Sequence, residues 1–170
     1  MTDEVRSDGC VYLERDYPAT PDEVWDAWTS PERLARWLGT PAGPILGATA
    51  PVRVSLGDGE DDWADVSVIS AEPPRLLELT WGFVGEPGSV LRVEIVPIDA
   101  THTRVQVEHR GLGTSAVGYG AGWQAYLDGE LAGELGQAWE TSGWDARFEQ
   151  ALPVWRDRAK DAQGTSSATG

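Results

Sequence analysis

Ala19-Thr20-Pro21-Asp22-Glu23-Val24-Trp25-Asp26-Ala27-Trp28-Thr29-Ser30-Pro31-Glu32-Arg33-Leu34-Ala35-Arg36-Trp37 is the stretch on which the fold turns. Thr20 stands where a helix N-cap needs a side-chain oxygen. Pro21 fits the first helical position, and Glu23 sits where its carboxylate can return to the backbone N–H of the cap. Val24, Trp25 and Trp28 then recur at helical spacing. Ser30-Pro31 restarts the pattern for a second short helix carrying Leu34, Trp37 and Leu38, which Gly39 ends.

On either side the period changes to two. Val11 to Tyr17 alternates apolar and polar residues before the helical pair, and the alternation resumes near Pro51. Val52, Val54 and Leu56 share one face. After the acidic turn Gly57 to Asp62, the same alternation runs through Ala64, Val66 and Val68, then Leu77, Leu79, Trp81 and Phe83. It continues through Leu91, Val93 and Ile95, and through Val105, Val107 and His109. One separated strand and five consecutive ones predict a six-stranded antiparallel sheet with a single apolar face to be covered. Tyr119, Trp123, Leu127, Leu131 and Leu135 recur every fourth residue, which predicts one long helix as the cover. Beyond the break at Gly136 and Ser142-Gly143, the residues Trp144, Phe148, Leu152 and Trp155 mark a further helical segment that Pro153 is expected to kink or divide. The class is α+β. The expected organisation is an N-terminal arm (residues 1–10), a single domain (11–160, with a core at 11–136 and a helical extension at 137–160) and a disordered tail (161–170).

The chain's 170 residues allow one domain that buries about 70% of its unfolded surface. Thirteen basic residues against 28 acidic give a formal net charge of −15. Such a surface repels phosphate backbones and anionic headgroups, which argues against nucleic-acid and membrane partners. No apolar run approaches the ~20 residues that cross a bilayer, and Met1 to Asp8 lacks the basic and apolar regions of a leader, so a cytoplasmic location is expected. The single cysteine, Cys10, fits a reducing compartment. Nine tryptophans are the feature that composition does not absorb, because such rings line cores, pockets and interfaces.

The stretch from Ala19 to Trp37 resembles the opening of the START-like SRPBCC superfamily, in the branch homologous to the activator of heat-shock-protein ATPase. Glu72-Pro73-Pro74-Arg75-Leu76 before Leu79-Thr80-Trp81, His109-Arg110-Gly111-Leu112 after the last strand, and Gly122-Trp123 in the covering helix extend the likeness from Val11 to about Leu135. The resemblance implies a helix-grip fold, in which a curved sheet wraps the long helix with a cavity between them. Cavity-lining candidates are then Trp81, Phe83, Leu91, Val93, Ile95, Val107, His109, Trp123, Leu127 and Leu131. The same apolar side chains could equally fill a core.

His109 is the polar candidate, since its parity places it inward with Val105 and Val107. It could orient a guest, act as a general base, or bond to a backbone group at the strand end. His102 falls in a turn, and two histidines with one thiol give no metal-site spacing. Gly118 to Trp123 misses the dinucleotide fingerprint, and Gly113 to Val117 lacks the last glycine of a nucleophile elbow. Asp58 to Asp62 lacks calcium-loop spacing, and no cationic helix start lies beside Cys10. The sequence reading is therefore a carrier or sensor for a small hydrophobic molecule, with no catalytic residue, metal or cofactor assigned. Two alternatives stand beside it: a cyclase- or hydrolase-like enzyme using the cavity, and a chaperone-associated interaction module. A homodimer or protein partner could use the tryptophan-rich C-terminal segment.

Overall fold

The computed structural model describes residues 3–137 and 142–167. One antiparallel sheet contains β1 (Glu4–Arg6), β2 (Cys10–Tyr17), β3 (Thr40–Pro41), β4 (Val52–Ser55), β5 (Trp63–Glu72), β6 (Leu76–Phe83), β7 (Ser89–Pro97) and β8 (Thr103–Arg110). Their spatial order is β1-β2-β8-β7-β6-β5-β4-β3, so the six later strands form a meander and β2 joins its far edge beside β8, with Val11 opposite His109.

The sheet therefore has eight strands where the alternation predicts six. Both additions are too short for a period-two signal. β1 is three residues of the expected arm, and it is held down from its N-terminal side by the buried Arg15. That guanidinium reaches Asp3 at 2.7 Å and Asp128 at 2.6 Å. Burial works against its charge, and the hydrogen bonds to the two carboxylates outweigh that, so its pKa is raised. β3 is two residues, Thr40 and Pro41, paired to β4.

Between β2 and β3 lie the two predicted helices, α1 (Pro21–Thr29) and α2 (Pro31–Trp37), although the Ser30 hydroxyl donates to the Glu32 carboxylate at 3.0 Å and does not cap α2 as expected. Thr20 and Glu23 form the capping box, with the Glu23 carboxylate 2.8 Å from the Thr20 N–H. The Trp37 indole donates to the Ala27 carbonyl at 2.7 Å and packs edge-on to Trp28 at 4.7 Å, which locks the two helices together.

The cover after β8 departs from the expected single helix. It consists of α3 (Ala116–Asp128) and α4 (Glu130–Glu134), broken at Gly129. The guanidinium of Arg147 occupies the place where a side chain at 129 would project, and from there it bonds to the Ala125 carbonyl at 3.1 Å and Glu130 at 2.6 Å. The last helix, α5 (Trp144–Ser167), runs unbroken through Pro153 and well into the expected disordered tail. Pro153 faces solvent, so the Glu149 carbonyl that loses its helical donor can be met by water. α5 packs on α3 where Gly120 leaves room for the fully buried Trp155, whose indole donates to Gln124 at 2.8 Å.

The sheet face away from the helices is polar and laced with ion pairs, such as Arg92 between Glu78 (3.2 Å) and Glu94 (2.7 Å). Among the described residues no helix is long and apolar enough to cross a membrane.

Candidate functional site

The space between sheet and cover divides into a filled part and an open part. In the filled part Leu91, Val93 and Ile95 of β7, Val107 of β8, Leu127 of α3 and Leu131 of α4 are each at most 1% exposed and pack into one core. A void of about 20 Å³ there touches Trp28, Leu79 and Leu91. This is room for about one water, with apolar walls that give it nothing to bond. Of the ten residues expected to line a cavity, these six fill the interior instead.

His109 belongs to the filled part as well. It is completely buried, and both ring nitrogens are engaged: Trp123 Nε1 lies 3.0 Å from Nδ1, and Ser89 Oγ lies 2.8 Å from Nε2. An indole N–H can only donate, so Nδ1 is an acceptor and the proton of the neutral ring sits on Nε2. Nε2–H then donates to Ser89, whose hydroxyl donates on to the Trp81 carbonyl at 3.2 Å. Burial without a neighbouring carboxylate pushes the imidazole down to about 3. The ring is a neutral, fully bonded bridge between β7, β8 and α3. The strand-end reading therefore describes it best, with Ser89 interposed before the carbonyl.

The open part is a cleft of about 950 Å³, within the ~300–1,000 Å³ usual for ligand sites. Trp81 and Trp123 form its floor with their ring centres 5.9 Å apart. Phe83 and Glu86 close one end, where β6 turns into β7. Tyr119 and Tyr126 of α3 stand on one side, and Trp144 and Phe148 of α5 on another. Trp144 and Phe148, one helical turn apart, are stacked with planes 11° apart and centres 4.9 Å apart, and Tyr126 leans on Trp144 at 5.3 Å. The β4–β5 turn supplies Leu56, Asp58 and Asp62.

Polar atoms in the cleft are unevenly satisfied. Trp81 Nε1–H donates to the Tyr119 hydroxyl at 3.1 Å, and Tyr119 donates to Glu86 at 2.8 Å. By contrast, the buried Trp144 Nε1 has no acceptor among the described residues. The Tyr126 hydroxyl is pushed up to about 12, by burial first and then by the negative fields of Glu130, Asp145 and Asp62.

Of the expected lining residues, then, Trp81, Phe83 and Trp123 face the cleft, while His109 and the six aliphatic residues do not. Tyr119, Tyr126, Trp144, Phe148 and the carboxylates were not anticipated. Their signal is a second stripe, Tyr119-Gly122-Tyr126-Glu130, which leaves the leucine stripe at Tyr119 and runs from α3 into α4, together with the i, i+4 pair Trp144 and Phe148. The described tryptophans of the C-terminal segment, expected as a partner surface, are turned inward: Trp144 lines the cleft and Trp155 is buried. Trp139 lies outside the described residues.

The profile of the family described as "Activator of Hsp90 ATPase homolog 1-like protein" matches residues 18–136. The chain belongs to that family. A search of the curated proteins returns no significant match. Among solved structures, CalU16 from Micromonospora echinospora superposes with a TM-score of 0.70 at 24% identity over 88% of each chain. DynU16, encoded in the dynemicin biosynthetic locus, gives a TM-score of 0.65 at 31% identity over 75% of this chain. This chain spans about half of DynU16, 47% of its length. EF2215, a conserved protein of unknown function from Enterococcus faecalis, gives 0.70 at 15% identity over 95% and 91%. The family match supports the SRPBCC branch, and the structural likenesses show the same fold, a curved antiparallel sheet with a C-terminal helix against it.

Proposed function

We propose that the protein binds a small hydrophobic molecule in the cleft and acts as a carrier or sensor. The observation that carries this reading is the ligand-sized cleft walled by aromatic rings in a domain whose remaining interior is filled. Membership of a family that generally binds hydrophobic ligands supports it. The enzyme alternative loses its base, because His109 is spent on two structural hydrogen bonds away from the cleft. The chaperone-module alternative rests on the family's name.

The test is a titration with naphthylethanol, a neutral bicyclic alcohol, followed by calorimetry and tryptophan emission. Micromolar affinity with one site per chain is expected, which is ordinary for a guest that buries most of its surface in such a cleft. Native mass spectrometry of protein purified without detergent provides a second check, with a retained small molecule as the expected result. No binding by any bicyclic guest, together with a clean apo spectrum, would remove the proposal.

A further inference from the structure

The cleft's polar lining has one sign of charge. Asp58 and Asp62 from the β4–β5 turn, Glu86 from the β6–β7 turn, Glu130 from α4 and Asp145 from α5 all line it, and among the described residues no lysine, arginine or histidine does. Two of these acids are already engaged, Glu86 by the Tyr119 hydroxyl and Glu130 by Arg147. Asp58, Asp62 and Asp145 have no ion-pair partner among the described residues. The rings beside them present negative π faces, which attract a cation as carboxylates do. The net charge of −15 adds a long-range field of the same sign. An anion entering this cleft would be repelled by walls, rim and whole molecule alike, whereas a neutral guest would leave the three carboxylates to water.

We infer that the natural guest is an amphipathic organic cation, with an apolar ring system between the indoles and phenyl rings and an ammonium group at the mouth, toward Asp62 and Asp145. This deepens the proposed function and rests on it, because it names the charge class of a ligand for the same cleft.

Three guests on one framework separate the two ideas: naphthylethylamine as the cation, naphthylethanol as the neutral form and naphthylacetate as the anion. Calorimetry near neutral pH should rank them in that order, with the amine about tenfold tighter than the alcohol. The amine's advantage should shrink as salt is added, since the mouth is open to solvent. Asp62→Asn with Asp145→Asn should remove most of the amine's advantage over the alcohol, with far-UV circular dichroism reporting that the variant is folded. If the alcohol binds and the amine gains nothing, or if the anion binds best, the cation inference falls and the hydrophobic cleft stands. If none of the three binds the unmodified protein, both fall.

Discussion

Strand β6 and helix α3 each serve two regions of the molecule, and the regions are built differently. Leu79 on β6 and Leu127 on α3 enter the filled interior, where every polar atom around His109 has a partner. On the same two elements Trp81, Phe83, Tyr119 and Tyr126 reach the cleft, where, among the described residues, an indole N–H has no acceptor and three carboxylates have no cationic partner. Satisfied polar groups in a close-packed interior specify the fold, whereas unsatisfied ones beside an opening are free to meet a guest. Around His109 side-chain hydrogen bonding thus marks scaffold from site, although the interior indole N–H of Trp28 on α1 also has no acceptor among the described residues. Trp123 is the hinge between them, since its ring floors the cleft while its N–H is committed to His109.

The largest effect is expected at Trp155, which belongs to the filled interior yet anchors the helix that walls the cleft. Trp155→Ala should cost about 3–5 kcal/mol in chemical denaturation, as for other deeply buried aromatic truncations. If the variant folds, it should bind naphthylethanol poorly, because α5 carries Trp144 and Phe148. A loss below about 1 kcal/mol would mean that α5 is an appendage.

The next effect concerns His109. His109→Leu strands the Trp123 N–H in the interior and should cost about 1–3 kcal/mol. His109→Gln keeps one acceptor and one donor and should recover part of that. Neither should abolish guest binding. The imidazole also sets a pH dependence. Its folded pKa lies near 3 and its ordinary value is 6.5, so between those limits the unfolded chain binds the extra proton. The stability due to neutral His109 is complete above 6.5 and is lost as pH falls toward 3, at no more than about 1.4 kcal/mol per pH unit. Urea melts across that window should show a shallower slope for His109→Gln. An identical slope would place the imidazole in solvent and dissolve the distinction between the regions.

The smallest effect has opposite signs at the two cleft indoles. Trp144→Phe removes an orphaned donor, so stability should hold or rise by up to about 1 kcal/mol while guest affinity drops. Trp81→Phe removes a donor that Tyr119 accepts, and it should lose about 1 kcal/mol or more. Equal losses at both would mean that Trp144 has a partner in solution.

Periodicity in the sequence was enough for the parity of each strand, the capped helical pair and the inward direction of His109, because each follows from local geometry. It could not say where along the inward face packing gives way to an opening. Trp81 and Leu79 have the same parity, and only the placement of α5 against α3 leaves one beside a cleft and the other in the core. Gly129 read as an ordinary helix position until Arg147, eighteen residues on, supplied the reason for the break. β1 escaped notice because its anchor is tertiary, through Arg15 and its two carboxylates. The acidic turn Asp58 to Asp62 reads as a solvated hairpin, and no local pattern shows that it lines one cleft with Asp145.

The central claim is that guests enter the cleft and leave the interior untouched. The indole N–H resonances of a nitrogen-15-labelled sample, followed during a naphthylethanol titration, read each tryptophan separately. Trp144 and Trp81 should shift in a saturable way, while Trp37, bonded to the Ala27 carbonyl, and Trp155, bonded to Gln124, should stay fixed. Shifts at Trp37 and Trp155 with none at Trp144 and Trp81 would contradict the account.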